Sequence, residues 1–172
     1  MSSERKELFM HLYGPVHNRF ERFCKARVYG EMDYKDLMHE TVMVAFQKFR
    51  EDTNPESFPS FLFGIAVRLL ANNRCKLQQA RKYVESRLIS DSYDDPNVKK
   101  EDIEELYRAL NALSDEQKEA VILFEITGYS IREIAEICRV NENLIKQRLF
   151  RGRQKLREIL ISQQELINTN SI

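Results

Sequence analysis

The sequence has little of what strand-rich, disulfide-stapled or membrane-spanning proteins require. Its 172 residues include five glycines, four prolines, three cysteines and no tryptophan. Cys24, Cys75 and Cys138 are widely separated and odd in number, which argues against a disulfide framework or a zinc site and predicts buried, reduced thiols. No run approaches the roughly 18 apolar residues that span a bilayer, and the N-terminal MSSERKELFMHLYG lacks an apolar signal core. We therefore expect a cytoplasmic protein without membrane insertion.

Charge is balanced overall but segregated along the chain. The 27 basic residues equal the 27 acidic ones, so composition gives no general signal for a polyanionic partner. Residues 68–82 carry five basic side chains and no acid, whereas residues 85–105 carry eight acids against three bases. This pattern predicts two basic surfaces separated by an acidic connector.

The residue types and spacings that enzymes use are not evident. His11, His17 and His39 lack the spacing of a catalytic or metal-binding set. We find no phosphate-binding glycine loop, nucleophile motif or acid-base pair. We expect no catalytic residue, no metal and no cofactor, and a protein that is not an enzyme.

Apolar side chains recur at helical spacing through nearly the whole sequence, which predicts an all-α fold. Helical patterns cover residues 6–28 with a break at Gly14 and Pro15, and then residues 33–50, 58–76, 103–113 and 114–128. A polar loop at 51–57 and a stretch rich in Ser, Asp and Pro around 86–97 interrupt them. We predict two small helical domains, residues 1–83 and 102–172, joined by an acidic linker at residues 84–101.

Residues 130–160 predict a helix-turn-helix. Ser130 and Glu133 have the spacing of a capping box, which starts a short helix. The polar break Arg-Val-Asn at 139–141 ends that helix, and Asn141 can cap a second one. The second helix has an apolar side formed by Ile145, Leu149, Gly152 and Leu156.

The opposite side of the second helix has the residue types that read DNA. It carries Asn143, Lys146, Gln147, Phe150, Arg151 and Gln154. Lysine and arginine bind phosphates or guanine, amides match the adenine edge, and an aromatic ring can contact a thymine methyl group. A solvated basic face on a bundle helix is the alternative interpretation.

The order of these elements resembles a known family. The first domain contains DLMHETVMVAFQKF followed by SFPSFLFGIAVRLLANNR, and the second contains ALSDEQKEAVILFEITGYSIREIAEICRVNENLIKQRLFRGRQKLREIL. Both are similar to the conserved domains of extracytoplasmic-function (ECF) sigma factors of bacterial RNA polymerase, in the sigma-70 family. The resemblance implies a promoter-specificity subunit that binds core RNA polymerase, recognises promoter DNA and helps to open it.

The resemblance also implies roles for individual residues. The helix at 36–49 would bind the clamp helices of the polymerase's largest subunit through Asp36, Leu37, His39, Glu40 and Gln47. The loop at 51–57 would capture bases of the minus-ten element, with Phe61, Phe63, Arg68, Asn72, Asn73 and Arg74 near the strand. Aromatic faces stack on bases there, and basic groups hold the backbone. The minus-thirty-five element would contact Asn143, Lys146, Gln147, Arg148, Phe150, Arg151 and Arg153.

Further partners follow from the same resemblance. They are the flap of the polymerase's second-largest subunit and either an anti-sigma factor or an accessory DNA-targeting protein. The acidic linker would lie in the path of the emerging RNA, with a plain flexible tether as the alternative.

Several positions depart from the residues usual in the family. His39 stands before Glu40 where Gln-Glu is usual, Arg68 replaces a frequent asparagine, and Arg139 stands where glycine is common. These departures leave promoter preference open. Two alternatives therefore remain, a helix-turn-helix regulator that uses only the C-terminal domain and a sigma-like adaptor whose DNA site is chosen by another protein.

Overall fold

The structure is a computed structural model that describes residues 3–72 and 100–170. Every regular element in these two ranges is helical, which confirms the all-α prediction. The N-terminal half, residues 3–72, contains α1 (Ser3–Tyr13), a 3-10 turn (Gly14–Val16), α2 (His17–Arg27), α3 (Tyr34–Lys48), a 3-10 turn (Pro55–Ser57) and α4 (Phe58–Asn72). The C-terminal half, residues 100–170, contains α5 (Lys100–Leu110), α6 (Asp115–Val121), a π-helical turn (Ile122–Ile126), α7 (Ile131–Cys138) and α8 (Glu142–Asn170).

Phenylalanine rings form the core of the N-terminal half. The Phe9 ring on α1 meets the rings of Phe49 and Phe58 edge-on, with centroid distances of 5.4 and 5.5 Å. This edge-to-face geometry places the positive edge of one ring against the negative face of another. The Arg5 guanidinium donates to the carbonyl oxygens of Phe46 and Phe49 at 2.6 and 2.9 Å. It thereby satisfies backbone acceptors that the end of α3 leaves unpaired.

Sequence signals locate the helix starts correctly. Asp33, the first residue of the predicted 33–50 pattern, caps α3, with its carboxylate accepting from the Lys35 backbone N at 2.9 Å. Ser114 and Gln117 form the capping box that starts α6. The chain then turns at Gly128, whose φ of +77° is a left-handed conformation that glycine adopts without a steric penalty.

The two halves pack against each other. Helix α4 lies on α7, and α2 lies on the π-helical turn. The Phe63 and Tyr129 rings, one from each half, meet edge-on with centroids 5.0 Å apart. Helix α5 begins at Lys100, so the last two residues of the predicted linker are helical, while residues 84–99 lie outside the described residues.

In residues 3–72 and 100–170 no helix combines the length and the apolar character that a transmembrane segment needs.

Candidate nucleic-acid interface

Local hydrogen bonds fix the helix-turn-helix. The Ser130 hydroxyl accepts from the Glu133 backbone N at 3.2 Å, and the Glu133 carboxylate accepts from the Ser130 N at 2.8 Å. Helix α7 ends at Arg139, which has a left-handed conformation with φ 56° and ψ 45°. The Asn141 side-chain oxygen then accepts from the Leu144 N at 2.8 Å. The predicted capping box, turn and second cap are all confirmed.

The inner side of α8 fits tightly on α6. Ile145 and Leu149 are buried, at 0% and 2% exposure. Gly152 leaves no room for a side chain, because a Cβ there would lie 2.9 Å from a Val121 methyl carbon. This close approach fixes the rotation of α8, so its opposite side faces solvent.

The outward side of α8 is the upstream face, which we define as Asn143, Lys146, Gln147, Phe150 and Arg151. All five side chains are exposed. Phe150 is 70% exposed, an unusual state for a large apolar ring on a folded surface. Two amides, two cations and an aromatic ring on one helix side can contact base edges, phosphates and a thymine methyl group together.

The two flanking arginines have different environments. Arg153 is held by Glu125, whose Oε1 accepts from the guanidinium at 2.6 and 2.9 Å. Its guanidinium also lies 4.8 Å from the centroid of the Phe124 ring. Arg148 is half-buried and interacts electrostatically with the Cys138 thiol. Because Glu125 already pairs with the Arg153 guanidinium, Arg153 must leave that carboxylate before it can contact a DNA phosphate.

The two cysteines in the described residues differ in burial: Cys24 is buried, as predicted, whereas Cys138 is only partly buried. Cys24 and Cys138 are both free. Burial raises the pKa of the Cys138 thiol to about 12, and burial also raises the pKa of Cys24 well above its usual value. Since the thiolate is the nucleophile, neither sulfur is suited to covalent chemistry near neutral pH. Cys75 lies outside the described residues.

One side of α3 presents most of the residues predicted to bind polymerase. Asp36, His39, Glu40 and Gln47 are exposed there. Leu37 is only 2% exposed and belongs to the core, which corrects its prediction as a contact residue.

Sequence reasoning missed Met43, which is 63% exposed between Glu40 and Gln47. Met43 lies three residues after Glu40 and four before Gln47, so helical spacing places all three on one side of α3. This spacing could have identified Met43 from the sequence. We call Asp36, His39, Glu40, Met43 and Gln47 the α3 stripe.

Of the residues predicted to contact the minus-ten element, the four that the structure describes do not form one open surface. Phe61 is half-buried and Asn72 is exposed. Phe63 has no exposed surface and packs on Phe20, Phe23 and Tyr129. Its ring is therefore unavailable for stacking on a base in this arrangement, contrary to expectation. Asn73 and Arg74 lie outside the described residues.

Arg68 folds back on its own helix at the contact between the halves. A Cβ at Gly64 would lie only 2.8 Å from the Arg68 guanidinium. Burial lowers the pKa of Arg68, and the nearby positive charge of Arg139 lowers it further. The structure thus brings a predicted strand contact beside the turn of the helix-turn-helix.

The loop before α4 has a defined shape. The Asn54 side-chain oxygen accepts from the Glu56 N at 3.0 Å, and the Ser57 hydroxyl donates to the Asn54 carbonyl at 2.8 Å. This short turn holds the exposed part of residues 51–57 next to the start of α4.

Known proteins share this sequence pattern and fold. Residues 103–156 match the family model described as Sigma-70, region 4. The ECF RNA polymerase sigma factor SigX of Bacillus subtilis (strain 168) is 26% identical over 162 residues, which cover 89% of this chain and 84% of that protein. The RNA polymerase sigma factor SigV of the same strain is 29% identical over 153 residues, covering 86% and 87%.

A solved structure has a similar fold. The sigma factor RpoE of Bartonella quintana, in complex with the anti-sigma factor NepR, superposes with a TM-score of 0.65 at 24% identity. The superposition covers 88% of this chain and 97% of that chain. With the capped helix-turn-helix and the matches across both halves, the chain is similar to the ECF group of sigma-70 family sigma factors, and residues 103–156 match sigma-70 region 4.

Proposed function

We propose that this protein is a promoter-specificity subunit that binds core RNA polymerase and directs it to promoter DNA. The observation that carries the proposal is the upstream face. Its amides, cations and exposed Phe150 stand on a helix whose rotation is fixed by Gly152 and whose start is capped by Asn141. Such a helix can enter the major groove with its N-terminal residues against base edges.

We assign residues 102–172 to recognition of the minus-thirty-five element and residues 1–83 to polymerase binding and the minus-ten element. Residues 84–101 form the linker between them in this assignment. Promoter opening then needs no catalytic group, because stacking and backbone contacts to the captured strand offset the cost of unstacking the duplex. The acidic linker would lie in the RNA path, where its charge resembles that of RNA.

The α3 stripe is the proposed contact with the clamp helices of the largest polymerase subunit. Its exposed Met43 among charged and polar side chains supports this role, since interfaces combine an apolar centre with a polar rim. The end of α8 offers a second apolar surface, which we assign to the flap of the second-largest subunit. Its exposed large side chains are Leu160, Ile161, Leu166 and Ile167.

Similarity to RpoE, which was solved with an anti-sigma factor, supports an anti-sigma factor as a further partner of this chain. Because its partner polymerase and promoter DNA are in the bacterial cytoplasm, we assign the protein to that compartment.

The α3 assignment is tested by reversing charge on the stripe. Asp36→Arg combined with Glu40→Arg should abolish co-purification with core polymerase while the helix content of the protein stays unchanged. The matched control is Glu4→Arg with Glu7→Arg, the same charge change on exposed residues of α1. Undiminished binding by the α3 variant, or equal loss by the control, would contradict the assignment.

A sigma-like adaptor is the alternative within the same family, because Phe63 is buried at the contact between the halves and Arg68 is only partly exposed there. In that case a separate DNA-targeting protein would choose the site. Holoenzyme made with the adaptor would initiate at defined sites only when the targeting protein is added, and would show no upstream preference of its own.

A further inference from the structure

Arg139, at the turn between α7 and α8, is the only residue other than glycine with a left-handed backbone within residues 3–72 and 100–170. Its φ is 56° and its ψ is 45°. The other left-handed residues there are Gly30 and Gly128, which have no Cβ to crowd the following carbonyl oxygen. Arginine has this crowding, and it lacks the short polar side chain that lets asparagine or aspartate tolerate it. The backbone at this turn is therefore strained.

The turn itself does not need an arginine. The Arg139 N donates to the Glu136 carbonyl at 3.3 Å, and the Val140 N donates to the Ala135 carbonyl at 3.1 Å. These are the two backbone hydrogen bonds of a Schellman motif, in which glycine is the usual left-handed residue. Both bonds use main-chain atoms alone, so glycine at position 139 would keep them and remove the strain.

The Arg139 side chain gains no favourable contact within the described part of the chain. It is exposed, and its guanidinium forms no hydrogen bond or ion pair with the described residues. Arg132 on the same helix, in contrast, lies 3.9 Å from the Glu136 carboxylate. Burial and then the Arg139 charge lower the pKa of Arg68, so these two guanidinium groups repel each other. The free protein is thus not stabilised by this arginine.

A strained residue with an unpaired charge points to a partner outside the chain. Backbone strain concentrates at binding sites, where the interaction with a ligand offsets its cost. The ligand of Arg139 must be anionic, because a guanidinium stays charged at physiological pH and has five donors and no acceptor.

The position of Arg139 beside the upstream face favours DNA as this ligand. It lies two residues before Asn141, which caps α8, and four before Asn143, the first residue of the upstream face. Four residues span at most about 14 Å, and the major groove that would receive the start of α8 is about 12 Å wide. With Asn143 against a base edge, the turn would lie at the wall of the groove, which is lined with phosphates.

We propose that Arg139 binds a backbone phosphate of the upstream duplex, and that this contact offsets the strain of an arginine at a turn where glycine would be more stable. The inference rests on the proposed function, because it concerns the same DNA surface. Phosphate contacts orient a protein on the duplex without distinguishing bases. Arg139 is therefore a positioning residue that sets how α8 lies in the groove while the upstream face reads the bases.

The first test compares stability with DNA binding. Arg139→Gly in the full chain should move the midpoint of urea unfolding upward, because glycine adopts the left-handed conformation without crowding. In holoenzyme the same change should weaken binding of an upstream duplex about tenfold and lower the salt dependence by about one ion. A residue with a purely structural role would not combine weaker binding with greater stability.

Two further variants separate the charge of Arg139 from its strain. Arg139→Gln removes the charge but keeps a crowded side chain, so binding should weaken as in Arg139→Gly without the gain in stability. Arg139→Lys keeps the charge and should keep the salt dependence of the parent. The control is Arg22→Gln, which removes one exposed charge from α2 and should leave the salt dependence of duplex binding unchanged.

The phosphate itself is found by replacing single phosphates of the upstream duplex with uncharged methylphosphonates. One replacement should weaken binding by the parent holoenzyme and have no further effect on Arg139→Gln holoenzyme, because that variant has already lost the contact. Equal sensitivity of parent and variant at every phosphate would overturn the proposal.

The remaining outcomes separate this inference from the proposed function. Unchanged duplex affinity and salt dependence in Arg139→Gly, or a lower urea midpoint, would overturn the phosphate contact. Loss of core-polymerase binding by Arg139→Gln with an unchanged DNA salt dependence would also overturn it, and would identify an acidic protein surface as the ligand. Equal binding of all duplexes by the parent holoenzyme would overturn promoter recognition, while a salt dependence that still falls in Arg139→Gln would support the phosphate contact.

Discussion

In the proposed interface, single side chains on α8 would determine whether the protein reads bases or only holds a phosphate backbone. Gln147 is an exposed amide and Lys146 an exposed cation on the same helix turn. An amide with two hydrogen bonds to adenine discriminates among base pairs, whereas an ammonium group on a phosphate does not. The two residues should therefore differ in the kind of defect that their loss produces.

Gln147→Ala should relax preference at one upstream base pair, with a loss of about 1–3 kcal/mol of discrimination. Lys146→Ala should weaken binding to all sequences and lower the salt dependence by about one ion. Selection of upstream elements by holoenzyme containing each variant measures the first effect, and binding at several salt concentrations measures the second. The control is Gln164→Ala, an exposed amide about 25 Å further along the helix at 1.5 Å per residue. Unchanged preference at every position in Gln147→Ala would contradict this assignment.

Tyr129 has a buried hydroxyl with no hydrogen-bond partner among the described residues. Burial raises its pKa from 10.0 to about 12. Above pH 10 the unfolded state therefore loses the phenol proton before the folded state does. The free energy of unfolding should fall between pH 10 and pH 12 for this reason.

Tyr129→Phe keeps the ring against Phe63 but removes the unpaired hydroxyl. It should raise the free energy of unfolding at pH 7 by about 1 kcal/mol and flatten the decline between pH 10 and pH 12. Urea unfolding across this range measures both effects. Parent and variant should both carry Cys138→Ala, because the Cys138 thiol also titrates with a raised pKa. Lower stability at pH 7, or an unchanged alkaline decline, would contradict the prediction.

At the scale of elements, the seating of α8 on α6 controls the orientation of the upstream face. Gly152→Ala places a methyl group 2.9 Å from a Val121 carbon. Overpacking costs about 1–3 kcal/mol, while alanine gains about 1 kcal/mol over glycine within a helix. We expect a net loss of about 1 kcal/mol in the free energy of unfolding and weaker upstream binding.

A double-mutant cycle checks this contact. Val121→Ala removes the clashing methyl groups, so its combination with Gly152→Ala should be more stable than the sum of the single changes predicts. Additive single effects would show that Gly152 does not control the seating of α8.

Helix boundaries were the most predictable features of the fold, because the residues that mark them lie close together in the sequence. The capping boxes at Ser114 and Ser130 and the caps at Asp33 and Asn141 depend on hydrogen bonds within three residues. The burial of Leu37 and Phe63 was less predictable. Each depends on a neighbouring element, and an apolar residue on a polar helix side can be either a core residue or a contact residue.

At the scale of the whole molecule, sequence gave no sign that the two halves pack together. Arg27 and Glu119 are 92 residues apart, and each belongs to a locally amphipathic helix with ordinary charged residues. They meet, with Arg27 Nε 3.1 Å from Glu119 Oε1, because α2 packs against the C-terminal half. The pairing of Arg27 with Glu119 therefore has no signature in local periodicity. The motifs that indicate DNA binding do have such a signature.

Transcription from a random promoter library tests the central claim most directly. Core polymerase of the source bacterium is supplied with and without the protein, and start sites are mapped. We predict new start sites that share an upstream element and a minus-ten element, lost in the Asp36→Arg and Glu40→Arg double variant. Start sites that are identical with and without the protein would contradict the assignment as a promoter-specificity subunit.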